Sequence, residues 1–373
     1  MPFPVYFLAL AVFAMGTSEF MLAGLVPDIA GALGISPAQA GFLTSAFAVG
    51  LVVGAPLMAA VARSWRRRTA LLGFLAVFVA AHVVGGLTGS FAVLLVTRAM
   101  AAVAYAGFLA VALTAAAGLV PPDRTGRALA VLLGGTTLAC VAGIPGGALL
   151  SAVFGWRAAF WAVALLCAPA VAGVARIPDT PATAKPSGLR AELAELRRPA
   201  LAGTLLLGAL VNAATFGVFT ALAPLATGIA PVPLVLAIFG AGCFAGVTAA
   251  GRLADRWPGR VVAIGGFLLL AGWVVLALVP GALPVLAFTQ GALSFAVGST
   301  VIARILRLAS GAPTMAGSYA TAALNVGAAA GPVLGAVAAP VWTAVVLIAL
   351  AQVVALMCRT ASAPSRTSEV SGK

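Results

Sequence analysis

The amino-acid sequence predicts an all-α integral membrane protein of twelve transmembrane helices in two pseudo-symmetric six-helix bundles, with both termini cytoplasmic. Three observations predict it. Of the 373 residues, 63% are hydrophobic and 8% charged, with a mean hydropathy of +1.16, which leaves too little polar surface to cover a soluble globule. Apolar runs of about 20 residues, the length that crosses roughly 30 Å of hydrocarbon, recur along the whole chain. Similar motifs also recur about half a chain apart, and the basic residues gather at alternate ends of the runs. Strand-length segments of alternating polarity are absent, which leaves helices as the spanning elements.

Span 1 (4–26) lacks the basic start of a signal peptide and outruns a typical signal-peptide core, so it is predicted as a helix. Its middle holds Glu19, with Thr17 and Ser18 beside it. Span 2 (38–62) runs into Arg63, Arg66, Arg67 and Arg68. Span 3 (69–88) carries the single histidine, His82, near its outer end; with no acidic residue close in sequence, a packed or interfacial role is expected. Span 4 (91–118) carries Arg98 and Tyr105, seven residues apart and therefore on one face. Span 5 (125–151) contains Gly143, Pro145 and Gly147, and span 6 (157–175) completes the first half. Residues 176–198 form the longest break in the hydrophobic pattern. Their first part, with Pro178, Pro181 and Pro186, reads as a tether, while Leu189, Leu193 and Leu196 among charges predict a short amphipathic helix on the cytoplasmic face. Spans 7 to 12 (199–225, 232–252, 260–280, 284–306, 314–337 and 340–358) repeat the pattern. The predicted domains are thus 1–175, the linker 176–198, 199–358, and a tail 359–373 whose Ser, Thr and Ala content predicts disorder.

The net charge of +13 reports topology. With the amino terminus taken as cytoplasmic, removing intramembrane Arg98 and external Arg157 from the 21 Lys and Arg leaves 19 at cytoplasmic loops or helix ends. That asymmetry orients the chain and supports an even number of spans. A nucleic-acid binder would instead gather its basic residues on one exposed surface. The four cysteines, Cys140, Cys167, Cys243 and Cys358, lack metal-like spacing and are expected to be buried small hydrophobes. No P-loop, paired acids, metal cluster or nucleophile elbow is present, so neither an enzyme nor a cofactor is predicted.

Residues 59–68, after span 2, align with 251–260, after span 8; the offset is 251 − 59 = 192 residues. Gly143, Pro145 and Gly147 in span 5 are echoed by Gly327, Gly331, Pro332 and Gly335 in span 11. Parallel six-helix repeats are a transporter architecture in which substrate sits near the midplane between two rocking halves.

These residues resemble the major facilitator superfamily. The resemblance rests on the segment Gly251, Arg252, Leu253, Ala254, Asp255 and Arg256 with its first-half copy, on an arginine in span 4, and on the glycine-proline elements of spans 5 and 11. The span 4 and span 5 elements are similar to those of twelve-helix drug:proton antiporters. Residues 15–29, 143–147, 208–216 and 312–325 resemble bacterial chloramphenicol-resistance exporters. The resemblance implies the major facilitator fold and proton-coupled efflux of chloramphenicol or a related neutral drug from the cytoplasm. It also implies gating by Arg63, Arg67, Arg68, Asp255 and Arg256, with Gly143, Pro145, Gly147, Gly331 and Pro332 sealing the pathway. Where the family's first-half motif has Asp, this chain has Arg63.

A charge near a bilayer centre costs roughly 2.5 to 3.5 kcal/mol on insertion scales, so Glu19 is the first place to look for function. It is expected either to carry a proton or contact a polar substrate, or to be locked to Arg98 or to nearby hydroxyls. Gly16 and Ala23, at i−3 and i+4, leave room beside it. Arg98 stays charged at any relevant pH and is expected to act electrostatically on Glu19 or to hydrogen-bond structurally. Tyr105, Asn212, Thr215, Phe216, Gln290, Thr321 and Asn325 form polar and aromatic stripes at helical spacing, with Phe219, Ser294 and Ser318 beside them. Such stripes line a cavity for a neutral, ring-bearing, hydrogen-bonding molecule, or they join helices to one another. The expected partners are a small-molecule drug, protons and the lipid bilayer, with no nucleic acid, for a monomer in the cytoplasmic (inner) membrane. The other readings are export of another small solute, such as a sugar or nucleoside, and a non-transporting receptor or scaffold.

Overall fold

The computed structural model describes residues 1–62, 64–177 and 188–360. Arg63, most of the predicted tether and the tail from 361 lie outside the described residues. The described residues form helices throughout: α1 Phe3–Leu33, α2 Pro37–Ala62, α3 Arg67–Leu87, α4 Phe91–Gly118, α5 Thr125–Phe154, α6 Arg157–Ala175, α7 Leu189–Ala194, α8 Pro199–Ala226, α9 Val232–Arg256, α10 Pro258–Leu278, α11 Leu283–Leu308, α12 Ala316–Val337 and α13 Pro340–Thr360.

Twelve of these are long, and eleven are also apolar enough to cross a membrane on length and composition. The long helix that falls short is α12, where Ser318, Tyr319, Thr321, Asn325 and four glycines dilute the hydrophobic residues. It packs on α8, α2 and α4, so its polar face meets protein rather than lipid. Large apolar side chains such as Leu165, Phe267 and Val337 point outward, while Arg98 and His82 are fully buried. This inversion of a soluble protein's pattern is what a lipid solvent demands.

The two halves repeat one packing scheme. In the first, α1 packs on α5 and α6, α4 on α2 and α3, and α3 on α6. In the second, α8 packs on α12 and α13, α11 on α9 and α10, and α10 on α13. The halves meet through α5 with α9 and through α2 with α12, which exchange under the same pseudo-twofold relation. Close approach explains the paired glycines: Gly143 and Gly147 lie against Thr17, Phe20 and Met21 of α1, and Gly327 and Gly331 against Ala209 and Ala213 of α8. A side chain at these positions would meet backbone, so within each half the glycines set the helix spacing.

Two segments differ from the sequence expectation. Span 1 was expected to end near residue 26, but α1 continues through Pro27 to Leu33 and stops at Gly34, whose φ of +64° suits a left-handed cap. Ser151 of α5 hydrogen-bonds the Asp28 carboxylate and ties this extension down. Of the predicted stripe in the linker, Leu189 and Leu196 pack against the core, but Leu193 is 42% exposed and the fully buried residue is Glu192. The polar contacts of Glu192, described below, outweigh the apolar stripe.

Candidate functional site

A cavity with about 110 Å³ of water-accessible space lies between the halves. Glu19 and Phe20 of α1, Tyr105 of α4, and Thr136 of α5 line it from one side; Asn212, Thr215 and Phe216 of α8, with Thr321 and Asn325 of α12, line it from the other. Leu113 and Ile302 extend the lining toward the C-terminal ends of α4 and α11, which lead into basic segments. A second space, with about 350 Å³ of water-accessible room, shares Glu19, Phe20, Phe216 and Asn325, and runs toward the opposite end past Thr44, Thr220 and Val333. Pro332 lines this outer space. Glu19 therefore stands where the two spaces join.

The Glu19 carboxylate has no hydrogen bond or ion pair among the described residues, and its oxygens are accessible to the cavity. Of the two alternatives for Glu19, the lock to Arg98 or to nearby hydroxyls therefore has no bond behind it among the described residues. Arg98 is within electrostatic range of Glu19 but makes its bonds to the preceding residue: Nη1 donates to Ser18 Oγ at 2.6 Å and Nη2 to the Ser18 carbonyl at 3.0 Å. Successive helical residues point about 100° apart, so Ser18 faces α3 and α4 while Glu19 faces the cavity. The guanidinium also lies over the Phe47 ring, 4.3 Å from its centroid.

His82 completes this buried network. Its Nδ1 lies 2.8 Å from the Phe78 carbonyl and its Nε2 lies 2.7 Å from Ser18 Oγ. A carbonyl only accepts, so Nδ1 carries the hydrogen and Nε2 accepts from Ser18. The direction is then fixed: Arg98 donates to Ser18, Ser18 to His82, and His82 to the α3 backbone. Sequence reasoning missed the roles of Ser18 and His82. The available signal was a serine next to Glu19 and a lone histidine in an apolar span, but nothing in one sequence says that α1 and α3 meet there.

Across the cavity, Asn212 Nδ2 donates to the Leu324 carbonyl at 2.7 Å and Asn325 Nδ2 to the Thr321 carbonyl at 2.8 Å. The Thr215 and Thr321 hydroxyls donate to Val211 and Gly317 carbonyls. Of the predicted stripe residues, two lie off the cavity: Ser318 is buried and donates to the Met315 carbonyl at 2.8 Å, and Gln290 is buried, bonds the Leu269 carbonyl of α10 through Nε2 at 3.3 Å, and does not reach the cavity. Gly272 of α10 leaves the space its amide occupies. Ser294, one turn further along α11, does line the cavity.

The basic end is closed across the halves. Asp255, at the end of α9, accepts hydrogen bonds from the Gly126 N–H at 2.5 Å and the Arg127 N–H at 3.2 Å, in the first turn of α5. A carboxylate there satisfies amides that the helix leaves open and complements its dipole. Gly251 packs against Ala130, and Gly317 against the Ala110 carbonyl, with no room for a Cβ at either contact. Of the other predicted gating residues, Arg256 lies over the Trp257 ring, Arg68 reaches the Ala175 carbonyl, and the Arg67 guanidinium lies beside Gly118.

The start of α12, the pseudo-symmetric counterpart of α5, also carries an acid, supplied by the linker. Glu192 Oε2 accepts from Thr314 N–H at 3.2 Å, Thr314 Oγ1 at 2.6 Å and Met315 N–H at 3.0 Å, and the Tyr319 hydroxyl donates to the Glu192 carbonyl at 2.9 Å.

Residues 8–230 match the family model for the Major Facilitator Superfamily. The chain is 60% identical over 380 residues to a chloramphenicol resistance protein of Streptomyces lividans, covering 96% of this chain and 97% of that protein. It is 33% identical over 349 residues to the inner membrane transport protein YdhP of Escherichia coli K12, covering 89% and 88%. Among solved structures, it shares the fold of the transporter FucP in its outward conformation, with a TM-score of 0.76 at 16% identity over 97% of this chain and 99% of that one. It likewise shares the fold of the human organic anion transporter MFSD10, with a TM-score of 0.73 at 17% identity over 96% and 99%.

Proposed function

The chain belongs to the major facilitator superfamily as a multi-pass cell-membrane protein, and from that premise we propose that it exports chloramphenicol or a related neutral amphipathic drug in exchange for protons. The observation that carries the reading is an acid with no partner among the described residues, Glu19, in a cavity walled by both halves. The 60% identity to a chloramphenicol resistance protein supports the drug class. Glu19 is the proton site, Arg98 its electrostatic neighbour, and Tyr105, Asn212, Thr215, Phe216, Thr321 and Asn325 the drug contacts. The protein works as a monomer by alternating access.

In a pump-deficient host, cells expressing the protein should accumulate less labelled chloramphenicol than controls, and an uncoupler should erase the difference. Equal accumulation in expressing and control cells refutes the drug assignment. Efflux that survives collapse of the proton gradient refutes the coupling.

The gate at the basic end follows from the same reading. Losing a cap of the Asp255 type costs about 0.5 to 2 kcal/mol, or roughly a 2- to 30-fold shift in a two-state population. Asp255→Ala should therefore raise access to the cavity from the cytoplasmic side. Gly298 lines the cavity and has open space where a Cβ would stand, so Gly298→Cys provides a reporter, and the four native cysteines are buried. Labelling of that cysteine by an impermeant maleimide in inside-out vesicles should rise in the Asp255→Ala background. An unchanged rate removes Asp255 from the gate.

A further inference from the structure

We propose that the cavity selects its ligand by hydrogen-bond donors: the molecule it takes is neutral, with an apolar ring at one end and several O–H or N–H groups at the other, and it binds less tightly with each donor lost. This rests on the proposed drug-binding role of the cavity and adds the chemical rule by which the cavity chooses.

The rule comes from accounting for each polar group. Among the described residues, the lining contains no Lys, Arg or His, because Arg98 is turned onto Ser18. The two threonine hydroxyls on the α8 and α12 wall have spent their hydrogens on helix carbonyls and keep only lone pairs. Each asparagine must turn its nitrogen to a carbonyl, since two carbonyl oxygens cannot bond each other, and its Oδ1 is therefore turned away from that carbonyl. Those amide oxygens have no partner among the described residues and are not enclosed by them. The Glu19 carboxylate adds two more acceptor oxygens at the junction of the spaces. The remaining donors on the lining are fewer: one further N–H on each amide and the hydroxyls of Tyr105, Thr136 and Ser294.

An acceptor-rich wall leaves its own oxygens desolvated when a ligand that lacks donors displaces water, and an unsatisfied buried polar group is costly. A ligand with several donors avoids that cost. Phe20, Leu109 and Phe216 give the lining apolar surface for its ring. A ligand anion would meet acceptors and a carboxylate. A bulky quaternary cation would offer charge but no hydrogen to the amide oxygens.

Chloramphenicol carries two hydroxyls and an amide N–H beside a nitrophenyl ring, and paired analogues test the rule. In the first pair, fluorine replaces the terminal hydroxyl; in the second, methylsulfonyl replaces the ring nitro group and the diol stays. Efflux from expressing cells and the ligand-induced rise in Tm of the purified full-length protein are measured together. Both diol compounds should be exported and should raise Tm, while the fluoro compound should lose about tenfold or more in each assay. In Asn325→Leu the advantage of the diol over the fluoro compound should shrink toward one.

Equal export and equal Tm shifts for the diol and fluoro compounds overturn the inference and leave the proposed function standing. So does export of tetraphenylphosphonium, which has no O–H or N–H, as strongly as the parent drug. A diol-dependent Tm shift without export supports the recognition rule and overturns the exporter reading. No Tm shift and no export with any of these compounds overturns both.

Discussion

Glu19→Gln is expected to leave the protein inserted in the membrane and to reduce uphill drug efflux to the level of cells that lack it. Glutamine has nearly the shape of the protonated acid and keeps a carbonyl acceptor toward the cavity, so folding and drug binding should persist. What it removes is the ability to take up and release a proton. An exchange of one neutral drug for one proton moves one net charge, worth about 2.3 kcal/mol per 100 mV. At ~150 mV this is about 3.5 kcal/mol, or roughly a 300-fold ceiling on the drug gradient. Without a titrating group that work is lost, but drug-for-drug exchange needs no net proton movement. In proteoliposomes, Glu19→Gln should therefore keep counterflow of labelled drug and lose accumulation driven by an imposed pH gradient. Wild-type accumulation by the variant would reduce Glu19 to structure. Loss of both activities with the protein correctly inserted would make it a binding residue instead.

The membrane architecture was legible because hydrophobic length and charge asymmetry are local properties, and one chain displays both. The duplication was legible for the same reason: residues 59–68 and 251–260 can be aligned without knowing where they lie. The cavity lining was legible where periodicity alone decides which residues share a face, as with Asn212, Thr215 and Phe216. It failed at Gln290. That residue sits at the same helical spacing from Ser294 as a lining residue would, but Gly272 on α10 offers its amide a nearer carbonyl at Leu269. A glycine on a neighbouring helix is invisible to a pattern read along one helix. The same limit hid the role of Glu192, whose side chain reaches residues 122 and 123 positions further on. It also left open which partner Arg98 bonds, since Ser18 and Glu19 adjoin in sequence and helix rotation sends them to different partners.

That rotation makes Arg98 the second position where a single substitution should abolish transport. The guanidinium makes two bonds to Ser18 in different directions and stacks on Phe47. A planar fork can meet all three demands at once, and a lysine ammonium, as a compact point charge, cannot. Arg98→Lys keeps the charge but frees it to move toward the unpartnered Glu19 carboxylate, which would hold the acid ionised and stop it cycling. The expected result is protein at wild-type levels in the membrane, with drug efflux reduced by at least about 100-fold. Ser18→Ala removes the acceptor at Nη1 and also breaks the link to His82; His82→Leu breaks only the far end of the chain. If these residues act as one unit, Ser18→Ala and His82→Leu will not add: the double variant should lose no more efflux than Ser18→Ala alone. His82→Gln, whose amide oxygen can stand near the Nε2 position and accept from Ser18, should recover most of the loss caused by His82→Leu. The pH dependence of efflux separates positioning from mere packing, because a displaced guanidinium changes the field at Glu19 and should move the profile, whereas a packing defect should lower the rate at every pH alike. Additive losses with an unshifted profile would refute the network as a positioning device for the proton site.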